Sequence, residues 1–213
     1  MRTLLKPAGV PVFPPHADPQ GDCLLARLLR REPGRADQAW PAGFAGGLAH
    51  RLDVSTSGAV LVADDPEELA WIRAAFAEGG LRKTYRLLAA RDVPWDAHGC
   101  TARIAHARRR KGRMVVERGR ATPHRGRWYP AETRFRRLRG RLFEAEMRTG
   151  VMHQIRVHAA FLGIPILGDR RYGGGPTPAD APPGCEFFLH HLGLEGPGDL
   201  RTDPVPLPEW AAP

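Results

Sequence analysis

Cysteine is scarce in this chain of 213 residues: Cys23, Cys100 and Cys185 are odd in number, far apart and in no C-x-x-C spacing. That excludes a disulfide framework and a zinc ribbon, and it fits a reducing cytoplasm. Long apolar runs are missing as well. No stretch approaches the roughly 20 residues of a membrane span. The opening MRTLLKPAGV has neither the apolar length nor the small-residue cleavage site of a signal peptide, so a soluble cytoplasmic protein is expected. No self-similarity appears at solenoid or propeller periods. The length suits one domain over residues 1–213, with enough chain to bury a core.

Acidic residues are missing where basic ones are dense. From Arg103 to Arg141 there are fifteen Lys or Arg against Glu117 and Glu132, a net +13 inside a chain whose total is +9, which leaves the remainder at −4. Such a stripe is what a phosphate backbone asks for, because each contact releases condensed counterions. The competing account is a solvated charged face in an arginine-rich chain, since only Lys6, Lys83 and Lys111 of the 32 basic residues are lysines.

What is present is a set of short elements. Residues 22–31 offer a short helix with apolar Leu24, Leu25 and Leu28. GAVLVA at 58–63 reads as a buried strand by its length and flanks. Asp65 is expected to cap a helix with Pro66 at its first position, Glu68 three residues after the cap, Leu69, Ile72 and Phe76 on one face, and Gly79-Gly80 as its stop. Residues 82–91 and 141–150 read as strands, the second because Phe143, Ala145 and Met147 alternate with Glu144, Glu146 and Arg148. The basic stretch between them reads as strands or hairpin arms. Thr149 is expected to cap a helix from about Met152 to Leu162, ended by Gly163 and Pro165. A loop follows over 173–184. Strands with a few helices, not strictly alternating, indicate an α+β fold.

Several chemistries can be tested against the residues. In HRLDVSTSG (50–58) the plain reading of Asp53 is a turn aspartate bonding backbone amides. A kinase catalytic loop needs an Asn five positions after its Asp, and Gly58 stands there instead. His50, His153, His158, His190 and His191 raise the question of a metal. The pair in HQIRVH lies five residues apart, about 140° around a helix and on opposite faces of a strand, so neither geometry aims both rings at one ion. Ser57 lacks the G-x-S-x-G turn of a hydrolase nucleophile.

HRLDVSTSGAVLVA (50–63), KTYRLL (83–88) and RTGVMHQIRVHAAFLGIPILGDRRYGG (148–174) together resemble the RluA-type family of RNA pseudouridine synthases. Its hallmarks are an H-R-L-D-x-x-T-S-G loop, a K-x-Y strand and an H-Q-I-R-V-H helix ending in G-x-P-I-x-G-D-x-x-Y-G, and they fall here in family order. The opening LLKPAGVPVFP looks like the family's first strand and K-P-x-G turn, and the closing VPLPEW looks like its tail.

The resemblance implies a bent, largely antiparallel mixed β-sheet with helices and loops around it, an RNA substrate, and no cofactor or metal. It implies that uridine in structured ribosomal or transfer RNA is detached from its ribose, turned and rejoined through carbon 5. An aspartate has a reference pKa of about 3.9, so it is ionised at pH 7 and can serve as nucleophile or base. By its place in the motif Asp53 takes the catalytic role. Tyr85 corresponds to the active-site tyrosine that stacks on the base, and Arg156 to the arginine that pairs with the catalytic carboxylate. Arg51 corresponds to the residue that fills the place of a flipped-out base. RNA contacts are expected at Arg51, Lys83 and the Arg108, Arg109, Arg110, Lys111 and Arg113 cluster. A monomer is expected.

Two departures from the pattern stand out. Val151 and Met152 replace the Arg-Thr pair that usually precedes H-Q-I-R, and the closing LHHLGLEGPGDL is shorter than the family's segment and lacks its usual His-Pro pair. An S4-type RNA-binding domain before the catalytic region is not expected, and the stripe at 103–141 is the expected substitute platform. The rival account is an RNA-binding protein or chaperone on the same fold, its catalysis impaired by the altered helix.

Overall fold

A computed structural model describes residues 1–212. Its first half runs β1 (Arg2–Lys6), α1 (Leu24–Arg31), β2 (Ser57–Val62), α2 (Pro66–Ala77), β3 (Arg82–Leu88), β4 (Ala97–Cys100) and β5 (Ile104–Ala107). The second continues with β6 (Met114–Val116), β7 (His124–Tyr129), β8 (Thr133–Arg139), β9 (Leu142–Met147), α3 (Gln154–Phe161) and β10 (Leu189–Glu195). Contacts divide the described residues into two compact units, one of residues 1–83, 182–185 and 190–208, the other of 84–181, 186–189 and 209–212. Among the described residues no helix is long and apolar enough to cross a membrane.

In the first unit β2 is the central strand. It pairs antiparallel with β1, from Arg2 opposite Val62 to Lys6 opposite Gly58, and parallel with β10, His190 beside Ser57 and His191 beside Gly58. Covered on both faces, it is an unbroken apolar run rather than an alternating one, as a strand buried twice must be. Helix α2 starts where its cap chemistry says it should: the Asp65 carboxylate accepts the Glu68 N–H at 2.8 Å, with Pro66 next. Its Leu69, Ile72 and Ala75 pack with Leu61, Ala63, Leu81, Leu194 and Leu200, and Phe76 covers the rim of that cluster.

In the second unit β8 lies between β4 and β9, antiparallel to both. The expected alternation holds from Phe143 to Glu146, with Phe143 and Ala145 buried and Glu144 and Glu146 half-buried, but Met147 is half-buried too. A separate three-stranded sheet has the order β6-β5-β7. One face of it is covered by α3, where Ile104, Met114 and Val116 meet Val157, Ala131 and Tyr172. The units thus supply mixed and antiparallel sheet with three α-helices, an α+β architecture.

Two boundaries and one whole strand depart most from the sequence expectation. Strand β3 ends at Leu88, after which Ala89 makes only a single bridge to Ile166. A strand absent from the expectation, β10, occupies LHHLGLE. Thr149 does not cap α3, because its hydroxyl is otherwise engaged: it accepts the Glu132 N–H at 3.2 Å and donates to Gln154 Oε1 at 2.9 Å. Gln154 Oε1 also accepts the Val151 N–H, while its Nε2 donates to the Glu132 carbonyl and to Thr133 Oγ1. This buried amide folds residues 149–153 into a turn, and the helix begins only at Gln154, after His153 in a left-handed conformation at φ 56°.

Candidate active site

The Asp53 loop leaves the fold at Ala49 and returns at Ser57, and it is held at three places. At its entrance His50 is half-buried, with Nε2 accepting the Leu61 N–H at 3.1 Å and the ring edge-on to His191 at 5.5 Å. Burial holds His50 well below the usual histidine pKa, as the neutral acceptor role requires.

In the middle of the loop stands Lys6, fully buried, whose ammonium donates to the carbonyls of Pro7 (2.9 Å), Val10 (2.7 Å) and Val54 (2.8 Å). An ammonium has three protons, and all three are spent. Burial lowers this lysine to about 8, against the opposing pull of the Asp53 charge. The K-P-x-G turn and the residue after Asp53 are thereby tied to one cation, an arrangement reinforced by the Gly9 N–H bonding the Val54 carbonyl at 3.0 Å. Sequence reading missed Lys6, although a lysine closing an apolar strand before Pro-x-Gly is the signal that could have found it.

At the exit, Gly58 has φ +123°, and a Cβ built there would lie 2.1 Å from the His191 carbonyl oxygen. The glycine of T-S-G is what lets β10 come up to β2. Beside it Ser57 Oγ lies 2.8 Å from His190 Nδ1. Within this frame Asp53 is half-buried, its carbonyl accepting the Thr56 N–H at 3.0 Å, with Leu52 buried on one side of it and Val54 exposed on the other. Arg51 is exposed. Lys83 is half-buried, its ammonium 5.1 Å from the Phe76 ring centre, and burial lowers its pKa.

The other expected residues belong to the second unit. Tyr85 is buried on β3. Arg156, on α3, forks onto Asp169: Nε to Oδ2 at 2.7 Å and Nη2 to Oδ1 at 3.0 Å, with Asp169 1% exposed. Its guanidinium also lies 4.2 Å from the Phe187 ring centre and 5.2 Å from that of Tyr172. The fixed fork of a guanidinium matches a carboxylate's two oxygens, so this pairing sets the plane of Arg156. Tyr172 is itself fixed, its hydroxyl accepting the Met114 N–H at 2.9 Å and lying 2.8 Å from His153 Nδ1. The G-D-x-x-Y-G turn therefore carries two supports of Arg156, Asp169 and Tyr172, to which sequence reading gave no role. Val151, one of the two departures, packs at the rim of the α3 core, while Met152 is exposed.

The basic stripe separates into two kinds of cation. Arg103, Arg134, Arg136 and Arg137 are each drawn into ion pairs, with Glu117, Glu132, Glu144 and the Asp92 and Asp96 pair respectively. Arg108, Arg109, Arg110 and Lys111 are exposed in the turn between β5 and β6, and Arg113 is half-buried with its guanidinium 5.4 Å from the Tyr172 ring centre. Three of the four β8 arginines are thus matched by nearby acids, while the turn contributes charge that stays open to solvent. Among the described residues no three His, Cys, Asp or Glu side chains gather in a way that could hold a metal ion.

A family model described as RNA pseudouridylate synthase matches residues 3–161, which takes in Lys6, the whole Asp53 loop, Tyr85 and Arg156. The chain belongs to the RluA-type family of RNA pseudouridine synthases. An uncharacterized RNA pseudouridine synthase of Chloroflexus aurantiacus is 35% identical to this synthase-family chain over 212 residues, 95% of the chain and 62% of the relative. Ribosomal large subunit pseudouridine synthase C of Vibrio cholerae is 38% identical over 154 residues, 70% of the chain and 46% of that protein. Among solved structures, human RNA pseudouridylate synthase domain containing 1 superposes with a TM-score of 0.66 at 26% identity, covering 88% of this chain and 74% of the human one. The chain spans about half the length of the curated relatives it matches.

Proposed function

We propose that this pseudouridine synthase family member isomerises uridine to pseudouridine in structured RNA, with Asp53 as the reacting carboxylate and Tyr85 and Arg156 in the same active site. The N1–C1′ bond of the nucleoside breaks, the pyrimidine turns, and a C5–C1′ bond forms. The C5 hydrogen leaves as a proton, N1 gains one, and nothing is oxidised or reduced. Asp53 can enter as nucleophile or as base. Tyr85 offers a ring face for the pyrimidine and a hydroxyl for proton transfer, and Arg156 supplies an oriented positive charge.

One observation carries the reading. The family's H-R-L-D-x-x-T-S-G loop is pinned at His50, Lys6 and Gly58 while Asp53 itself stays half-buried, which suits a side chain held for reaction with a bound group. A base inside a helix must be flipped out, at a cost of a few kcal/mol. Arg51, exposed two residues before Asp53, is the proposed filler of the vacated place. Ribosomal or transfer RNA is the proposed substrate class, with relatives named for the large ribosomal subunit favouring the first.

The test follows from the C5 hydrogen. RNA transcribed with uridine tritiated at C5 should release tritium to water when incubated with the protein, and Asp53→Asn should release none while unfolding at the same temperature. Equal release by wild type and Asp53→Asn would remove the aspartate from the reaction. Tight binding of these RNAs by wild type with no release at all would favour a binding protein instead. Arg51→Ala should lose more turnover on folded RNA than on a short unstructured strand, and equal losses would discard the filler role.

A further inference from the structure

The register of β7 against β5 breaks once: Ile104 opposes Tyr129 and His106 opposes Arg125, so two steps on β5 match four on β7. The surplus bulges at residues 126–128. Gly126 makes the bulge at φ +73°, where a Cβ would meet nothing within 4 Å, so glycine is required there by the backbone angle rather than by crowding.

The bulge gathers aromatic rings that a regular strand would not bring together. His124 and Trp128 stack with ring centroids 4.3 Å apart and planes 36° from parallel, and both are only half-buried. Arg127 lies 4.7 Å over the Tyr129 ring, which meets His106 edge-on at 6.4 Å. β7 is an outer strand of its sheet. Arg118, Arg120, Arg125 and Arg127 are exposed on and just before it, and among the described residues none of the four is in an ion pair, in contrast to Arg134, Arg136 and Arg137 of β8.

We propose that the bulged β7 strand is a second RNA subsite that takes unpaired nucleotides flanking the target. Bases stack on the His124–Trp128 pair, and their phosphates are neutralised by Arg120, Arg125 and Arg127. An aromatic platform beside unpaired cations fits a single strand, whose base faces are open, whereas a duplex offers phosphates and 2′-hydroxyls and keeps its faces to itself. This deepens the proposed function and rests on its RNA substrate.

The test uses the full chain and a fluorescein-labelled oligouridylate about twelve nucleotides long, within the span such surfaces cover. In fluorescence anisotropy, Trp128→Ala should bind it roughly ten-fold or more weakly, Trp128→Phe should keep most of the affinity, and a blunt RNA duplex should be bound equally by all three. The double variant Arg125→Ala/Arg127→Ala should lower the salt slope by about 1.4, near 0.7 for each lost single-strand contact. Wild-type affinity for oligouridylate in Trp128→Ala, or an equal loss on the duplex, overturns the subsite. Should Trp128→Ala fail to fold, the exposed arginines decide, and an unchanged salt slope overturns it. Tritium release separates the two readings: Trp128-dependent binding without release keeps the subsite and sinks the enzyme, while release with Trp128-independent binding does the reverse.

Discussion

Acidification should destabilise the first unit through His191. This imidazole is 0% exposed, and burial, opposed by the hydrogen bond that Nδ1 donates to the Ala59 carbonyl at 2.6 Å and aided by the Lys83 and His190 charges, lowers its pKa to about 4. In the unfolded chain the group titrates near 6.5. Between those values the unfolded state binds a proton that the native state refuses, so stability is fully present above pH 6.5 and falls as the pH drops towards 4. A separation of that size costs about 3 kcal/mol once the window is crossed, and about 2 kcal/mol is already lost at pH 5. His50 and His158, both lowered chiefly by burial, pull in the same direction. Urea unfolding at pH 8, 6.5 and 5 measures the slope directly. His191→Asn keeps a neutral donor near the Ala59 carbonyl and removes the titration, so its stability should fall between pH 8 and 5 by about 2 kcal/mol less than that of wild type. An identical slope in the variant would refute the reasoning.

Other perturbations have equally definite outcomes. Lys6→Met takes the ammonium donor from three carbonyls, of which Val54's keeps only the Gly9 N–H, and should cost about 3 kcal/mol in urea unfolding, together with faster amide exchange at Gly9. Gly58→Ala sets a methyl group against the His191 backbone and should destabilise by at least about 2 kcal/mol, a change readable as a lower melting temperature. Asp169→Ala removes both fork contacts from the buried Arg156 guanidinium and should cost about 3 kcal/mol, whereas Asp169→Asn should retain more stability while lowering the rate of tritium release.

Elements governed by neighbours in sequence were legible before any coordinates. Helix α2 announces itself through Asp65, Pro66 and Glu68, which act within one turn, and β9 through an alternation that needs only one buried face. β10 was not legible, because two of its fully covered positions are His190 and His191, residues that read as polar until an Ala59 carbonyl and a Ser57 hydroxyl more than 130 residues away are known to meet them. The start of α3 was hidden for a similar reason, since the Thr149 hydroxyl is claimed by Glu132 and Gln154 before it could cap anything. The motifs name Asp53, Tyr85 and Arg156 as the residues proposed to react, but the groups that hold the Asp53 loop and the Arg156 side chain lay outside what spacing reveals. Lys6 acts through carbonyls on another segment, and Asp169 acts through the geometry of a fork. The charge stripe was visible as a sum, while its division into cancelled and open cations depends on which acids β9 and the segment before β4 bring alongside β8.

The strand beside Gly58 has a consequence for how the protein is made. Ser57 and its neighbour His190 are 133 positions apart, and the unit that holds them is built from both ends of the chain. A ribosome adding about 5–20 residues per second needs on the order of ten seconds to deliver the second after the first. Throughout that interval the carboxylate loop has its β1 partner but no wall on its other side. A nascent chain halted before residue 190 would already display every signature motif and yet have no finished loop in which to use them.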